Sequence, residues 1–404
     1  MRKQPTSPPP VVTPQEPNSV ITQVREYELI TPLFGGGVAP REEDPVTTIR
    51  GTEIRGQLRF WWRACRGGKF DDNLVAMKQA ENEIWGAAYK KGEKLLSHEQ
   101  TVQIDIEIVN QGTPIRFNDR SIPAYAAFPL QSDPKPVRKD ISFKLTVSYP
   151  EKHKEEVEAA FWAWETFGGV GARTRRGFGA LHLLTVNGKK SPNIDRTRVQ
   201  ADIQEKLTKF VAPGKHSEGS PHLSQNLVFK VLRYPQNTLP SAAWLNLIGR
   251  LKNFRQARSN GTAGRSLWPE PGAIRYLTGL RDKLPSIQKF PRAAFGLPIV
   301  FHFTGKNAPV DTTLQGTEGE IERLASPLIL RPMVCSNNQV VGLALILEGS
   351  RPVPGPLKLI EKETGIPQTV QETLTRQEAQ QIPVLHGETD VLKAFMNSLG
   401  GNTR

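Results

Sequence analysis

Residues 49–68, IRGTEIRGQLRFWWRACRGG, decide how the rest of the chain is read. Wound as a helix at about 100° per residue, the segment separates into two unlike faces. Ile54, Leu58, Trp61 and Cys65 fall within roughly 60° of one another and predict a buried stripe. Arg55, Arg59, Arg63 and Arg66 fall within roughly 80° on the adjacent face, with Trp62 on the border. Thr52 is placed as the N-cap, and Glu53 stands in the first turn, where the helix dipole favours negative charge. No acidic residue lies between Arg55 and Arg66. The arginines are therefore expected to face an anion outside the helix; a solvated basic face, or one paired with acidic loops, is the alternative.

Upstream, residues 21–30 read as a strand, stopped by Thr31, Pro32 and the triple glycine Gly35, Gly36, Gly37. The glycines either let main-chain amides approach a ligand or form a plain turn. Downstream, a second helix starts at Asp71 or Asp72 and carries Leu74, Met77, Ile84 and Trp85. Residues 101–110 and 141–149 alternate apolar and polar and predict half-buried strands. Residues 151–167 predict a helix with Val157, Phe161 and Trp164 inward. The loop GGVGARTRRGFGA, residues 168–180, follows, and then a strand at 181–186. The order is β-α-β-β-α-β, the ferredoxin-like pattern also used by RNA-recognition sheets.

The second half begins again with a strand at 226–234 and an amphipathic helix at 243–258, its inner face formed by Trp244, Leu247, Ile248, Leu251 and Phe254. Strands at 295–303 and 324–334, a hairpin into 340–347 and a terminal helix at 388–399 complete it. The expected architecture is α+β, with two ferredoxin-like domains in tandem. Residues 1–19 form a Pro-rich arm, 20–223 a first domain ending in a connection from 187 that holds a short helix near 202–210, and 224–404 a second domain.

A length of 404 residues suits two or three domains. Hydrophobic content of 37%, with seven Trp and 17 Phe, suffices for packed interiors. A mean hydropathy of −0.42, with 33 Pro and 34 Gly, implies many loops beside them. The net charge of +13 and pI near 9.7 point to a polyanionic partner, nucleic acid before membrane surface. No apolar run reaches the 18 or so residues of a membrane span, and the N-terminus has no apolar signal region. Two cysteines, Cys65 and Cys335, support neither a disulfide framework nor a thiolate zinc site, so a reducing, cytoplasmic compartment is expected.

In the glycine-rich loop, Arg173, Arg175 and Arg176 stand among Gly168, Gly169, Gly171, Gly177 and Gly179. Glycines let amides crowd a phosphate and arginines neutralise it. The loop opens a strand and follows a helix, so neither a Walker nor a Rossmann phosphate site fits. A phosphodiester backbone remains, with a flexible loop lacking any ligand as the alternative. Arg55, Arg59, Arg173, Arg175 and Arg176 are expected to share one surface, with Trp62 available to stack on a base unless it is core. None of the seven histidines has metal-ligand spacing. His182, just past the loop, is the one candidate general base for metal-free RNA cleavage; a strand histidine flanked by leucines is otherwise structural.

ITPLFGGG (30–37), IRGQLRFWWRA (54–64) and GGVGARTRRGFGAL (168–181) together resemble the RAMP superfamily of CRISPR effector subunits, and within it the first-subunit family of type III-B, or Cmr, RNA-targeting complexes. FGLPIVFHF (295–303) and RLASPLILRP (323–332) are similar to that family's second half. The resemblance implies two ferredoxin-like domains and a non-catalytic subunit that grips the 3′ part of the guide RNA near the target RNA, with other effector subunits as partners and no cofactor or metal. Arg55, Arg59 and Trp62 fall on the helix motif, and Gly171, Arg175, Arg176 and Gly177 on the loop motif; Arg63 and Arg173 join them as expected RNA contacts. A guide-processing endoribonuclease and a purely structural assembly subunit are the competing readings.

Overall fold

The computed structural model describes residues 19–37, 44, 47–87, 101–130, 137–191, 194–261, 263–305, 308–316, 323–349, 356–365 and 367–400. The Pro-rich arm lies outside them, as do 131–136 of the long loop after the second strand.

Strand β1 (Val20–Leu29) leads through the triple glycine to helix α1 (Gly51–Arg66) and helix α2 (Leu74–Trp85). Strands β2 (Gln103–Ile115) and β3 (Val137–Pro150), helix α3 (Lys154–Phe167) and strand β4 (Leu181–Val186) follow. A two-residue strand, β5 (Lys189–Lys190), extends β4. The sheet runs β2-β3-β1-β4-β5, antiparallel throughout, with β1 between β3 and β4. Alternation dictates which side is dry. Tyr27 and Leu29 on β1, and Ile141, Phe143, Leu145 and Val147 on β3, face the apolar stripes of α1 and α3. Ile54, Leu58, Trp61 and Cys65 are all buried in that core, as the periodicity of α1 requires.

Two starts differ from the expectation. Arg50, not Thr52, occupies the N-cap of α1, and it makes no side-chain cap bond. Asn73, not an aspartate, caps α2, accepting from the Ala76 amide at 3.0 Å; Asp71 and Asp72 both sit at positive φ in the preceding turn.

Helix α4 (Val199–Phe210) lies where a connection was expected, yet Val199, Ile203 and Leu207 are fully buried in the first core. The second half then runs β6 (Phe229–Arg233), α5 (Pro240–Arg255), the hairpin β7 (Arg258–Asn260) and β8 (Ala263–Ser266), α6 (Glu270–Leu277), β9 (Ile299–Phe301), β10 (Thr312–Gln315), β11 (Leu328–Val334) and β12 (Val340–Ile346). It ends with β13 (Leu357–Glu361), β14 (Pro367–Val370), α7 (Arg376–Gln381) and α8 (Val391–Ser398). These strands do not form one sheet. Strands β11-β12-β6 make a three-stranded sheet in which the third-strand equivalent, β12, lies between the other two, as β3 does between β2 and β1. The order of the first sheet thus recurs without a fourth strand among the described residues. Strands β14-β13-β10-β9 form a separate sheet over a small core with Ala273 and Ile274 of α6.

The β11–β12 hairpin is buried on both faces. Ile329, Val341, Leu343 and Leu345 join the first core. Leu328, Leu330, Ala344 and Ile346 join a second core built on Trp244, Leu247, Ile248 and Leu251 of α5 and on α8. A near-continuous apolar run such as VVGLALI is what a strand buried on both faces needs.

Candidate nucleic-acid interface

The sequence points to two segments, α1 and the loop 168–180, and the fold lays them side by side. The Gly171 amide donates to the Glu53 carboxylate in the first turn of α1. The Arg175 guanidinium sits 5.6 Å from the centre of the Phe60 ring of α1. Gly171 has φ +81°, and a Cβ there would fall 2.6 Å from the Phe34 carbonyl oxygen, so glycine is required for this approach. Glu53 pays for its position in its titration. Burial raises its carboxyl to about 7, and its second oxygen, Oε2, has no hydrogen-bond partner.

The arginines of α1 do not join those of the loop. Arg55 donates to the carbonyls of Trp85 and Val102, at 2.7 and 2.9 Å, closing the open end of α2. Arg59 reaches Glu81 of α2 at 2.7 Å and the Gly86 carbonyl at 2.9 Å. Arg63 pairs with the same Glu81. The carboxylate absent from α1 is thus supplied by α2. Two guanidinium groups, Arg59 and Arg63, share one buried carboxylate, and both stay partly exposed. Arg66 is buried and bound to Glu155, Glu156 and the Phe210 carbonyl.

Trp62 requires a correction. It is 1% exposed, with its indole N–H donating to Glu156 at 2.7 Å, so it is a core side chain and cannot stack on a base. Gly177 and Arg176 are also internal. Gly177 (φ +82°) lies where a Cβ would be 2.6 Å from the Trp244 indole nitrogen, so it lets α5 dock. The Trp244 N–H donates to the Arg176 carbonyl at 2.6 Å. The expected single surface of Arg55, Arg59, Arg173, Arg175 and Arg176 is likewise corrected: the helix arginines turn toward α2 and the loop arginines toward the second half.

The loop arginines form a different constellation. Arg175 donates to the Ser326 carbonyl at 2.6 Å, and Arg176 to that of Leu328 at 2.8 Å. Arg255, at the end of α5, lies 5.8 Å from the Tyr125 ring centre and 5.2 Å from that of Phe295. Burial lowers the titration of Arg173, Arg175, Arg176 and Arg255, that of Arg176 to about 9, and Arg255 and Arg173 add repulsion at Arg176. The Nε groups of Arg173 and Arg255 are buried without a partner. Arg175 and Arg176 therefore donate to carbonyls and Arg255 packs on rings, and among the described residues none of the four guanidinium groups, Arg173 included, has a hydrogen-bonded carboxylate. Such a cluster is electrostatically incomplete and an anion would complete it. Arg255 was not among the residues singled out from sequence, because on a helix ending in Arg255 and Arg258 it looks like ordinary terminal charge.

A further arginine went unnoticed. Arg331 of β11 is fully buried, and burial lowers its titration to about 10. It donates to the carbonyls of Glu165, Gly168 and Leu181 at 2.9, 2.7 and 2.7 Å, gripping the open end of α3 and the base of the loop. Its position follows from period two along β11, since Ile329 and Arg331 share the face toward the first half. His182 is held by Glu28 on the neighbouring strand at 2.8 Å. Among the described residues no group of three His, Cys, Asp or Glu is arranged to hold a metal ion, and no helix is long and apolar enough to cross a membrane.

Comparison with known proteins places this geometry. Residues 26–182 match the RAMP superfamily model. The Cmr subunit Cmr1-2 of the CRISPR system of Pyrococcus furiosus is 28% identical over 183 residues, covering 39% of this chain and 92% of that protein. Cmr1-1 of the same organism is 23% identical over 171 residues, 39% of this chain and 47% of that protein. Among solved structures, Cmr1 of P. furiosus in its apo form has a TM-score of 0.47 at 17% identity, over 90% of this chain and 96% of that one. A chain of the type III-B Cmr-beta complex bound to cognate target RNA has 0.48 at 11%, over 93% and 99%. The similarity to the RAMP superfamily is thus confined to residues 26–182, the stretch that carries the α1 and glycine-loop motifs.

Proposed function

We propose that the protein is a non-catalytic, RNA-binding subunit of a type III-B CRISPR ribonucleoprotein, built on two ferredoxin-like domains, the second without its last strand among the described residues. The similarity to Cmr subunits supports the assembly. The seam of Arg173, Arg175, Arg176 and Arg255 carries the RNA reading, because half-buried cations with no hydrogen-bonded carboxylate among the described residues favour a polyanion. Guide RNA is the strand proposed there, gripped toward its 3′ part, with target RNA and the other effector subunits adjoining. The partly exposed edge of Arg59 and Arg63, two cations on the one carboxylate of Glu81, with Arg55 beside them on backbone carbonyls, is a secondary contact. The catalytic alternative rests on His182 alone, whose Nδ1 is held by Glu28 at 2.8 Å.

The test is binding of single-stranded RNA by the full chain across salt concentrations. Neutralising two contacts in Arg173→Gln plus Arg175→Gln should make the log–log salt slope shallower by about 1.4, at 0.7 per single-strand contact. Absence of RNA binding at low salt, together with absence of RNA crosslinks within an assembled complex, would overturn the reading.

A further inference from the structure

A cleft of about 980 Å³ lies away from both sequence motifs, between the β7–β8 hairpin, α6 and the end of β9. Arg258 and Arg265 stand on its hairpin wall, Arg275 on α6, Arg281 just beyond α6, and Arg292 at its inner end. No aspartate or glutamate is among its lining residues. Among the described residues the nearby carboxylates are engaged or set apart. Glu270 is fully buried beneath the cleft and bound to Arg292 at 3.0 Å, Asp311 holds His302 at 2.7 Å, and Asp282 follows Arg281 in an exposed turn. Arg292 is thereby neutral in balance, and its Nη1 donates to the Arg255 carbonyl at 2.9 Å, so the cleft adjoins the seam.

The other four arginines are not balanced. Among the described residues the Arg258 guanidinium bonds only to the Gly264 carbonyl at 3.0 Å and that of Arg275 only to the Pro271 carbonyl at 3.1 Å, the latter lying 5.3 Å from the Phe303 ring centre. Arg265 and Arg281 are exposed, and their guanidinium groups have no hydrogen-bond or ion-pair partner among the described residues. Leu280 and Val300, both exposed, add apolar surface to the lining.

We infer that this cleft binds a run of consecutive phosphates of single-stranded RNA, continuing the strand held at the seam; the inference rests on the RNA-binding reading above. Dispersed guanidinium groups match a charge that repeats along a strand, and they position phosphates without reading sequence. The exposed leucine and valine give bases an apolar surface to lie on. A chain of net charge +13 adds a long-range field of the same sign.

The experiment measures anisotropy of a labelled 20-nucleotide oligouridine with the full chain between 50 and 200 mM salt. Four contacts at 0.7 each contribute a slope near 2.8, or about 50-fold in affinity over that range. Arg258→Glu plus Arg281→Glu should lower affinity at least tenfold and make the slope shallower by about 1.4. Lys189→Glu plus Lys190→Glu, on the exposed strand β5, makes the same change in net charge and should have little effect. Equal losses from both pairs would reduce the result to bulk charge and overturn the cleft. Unchanged RNA affinity in the cleft variant would also overturn it, and would point to an acidic protein neighbour if assembly into the complex fell instead. Failure of the wild-type chain to bind RNA would reject the RNA-binding reading itself.

Discussion

Replacing Arg331 with methionine tests whether one buried side chain holds the two halves in register. The guanidinium donates to four carbonyls, those of Glu165, Gly168 and Leu181 and, at 3.2 Å, that of its neighbour Pro332. The first two are at the C-terminal end of α3, where carbonyls lack helical partners and the dipole is negative. Each charge-assisted bond contributes about 1.5–3 kcal/mol, and each carbonyl left buried and unpaired costs about 1–3 kcal/mol. Against this, methionine removes a guanidinium whose own desolvation is large enough to lower its titration to about 10. Breaking such a buried constellation on one side typically costs about 3–5 kcal/mol, and that is the expected loss. Urea unfolding followed by tryptophan fluorescence reads it as a lower midpoint at unchanged slope. Arg331→Lys should recover only part, because an ammonium lacks the planar fork that reaches four acceptors. A loss below about 1 kcal/mol for Arg331→Met would refute the reasoning, since the carbonyls would then have to find other donors at no cost.

Glu53→Gln keeps an acceptor for the Gly171 amide while removing the charge. The folded carboxyl titrates near 7, above its usual value, so its contribution to stability is fully present below the usual carboxylate range and is lost as pH rises through 7. The variant should therefore be more stable than wild type at pH 8, by about 2 kcal/mol, and the difference should shrink toward pH 5; a pH-independent difference in melting would contradict this. Gly177→Ala forces a Cβ against the Trp244 indole at φ +82° and should cost about 2–4 kcal/mol, read as earlier thermal unfolding; a neutral effect would mean that α5 docks elsewhere. Glu81→Gln leaves Arg59 and Arg63 without their shared carboxylate. It should lower stability by about 1–3 kcal/mol yet raise RNA affinity if the α1 edge is a secondary contact; unchanged affinity would confine RNA to the second half and the seam.

The elements of the first half were legible because each carries a period matched to one dry face, as Ile141, Phe143, Leu145 and Val147 do in β3. The α6 helix, the β7–β8 hairpin and the strands β10, β13 and β14 were not, since they are eight residues or shorter and border a small core in which no period is completed. The candidate site shows where local reading stops. Periodicity correctly set the arginines of α1 apart from its buried stripe, but no property of 49–68 states that Glu81, some twenty residues on, returns to neutralise them. Trp62 was ambiguous by angle alone, and only Glu156 on α3, ninety-odd residues away, decides that its indole is inside. The loop motif named the right glycines for a reason other than the one first considered. Gly171 admits Phe34 and Gly177 admits Trp244, so the loop is tight because two halves of the chain close on it. That closure strips water from Arg173, Arg175 and Arg176 without giving them carboxylates, and Arg255 arrives from the other half with the same deficit. A fold that buries cations in this way gives up stability at the seam unless a polyanion accompanies it. Saturating RNA should therefore raise the melting temperature of the wild-type chain more than that of Arg173→Gln plus Arg175→Gln. Equal shifts would place the strand elsewhere on the protein.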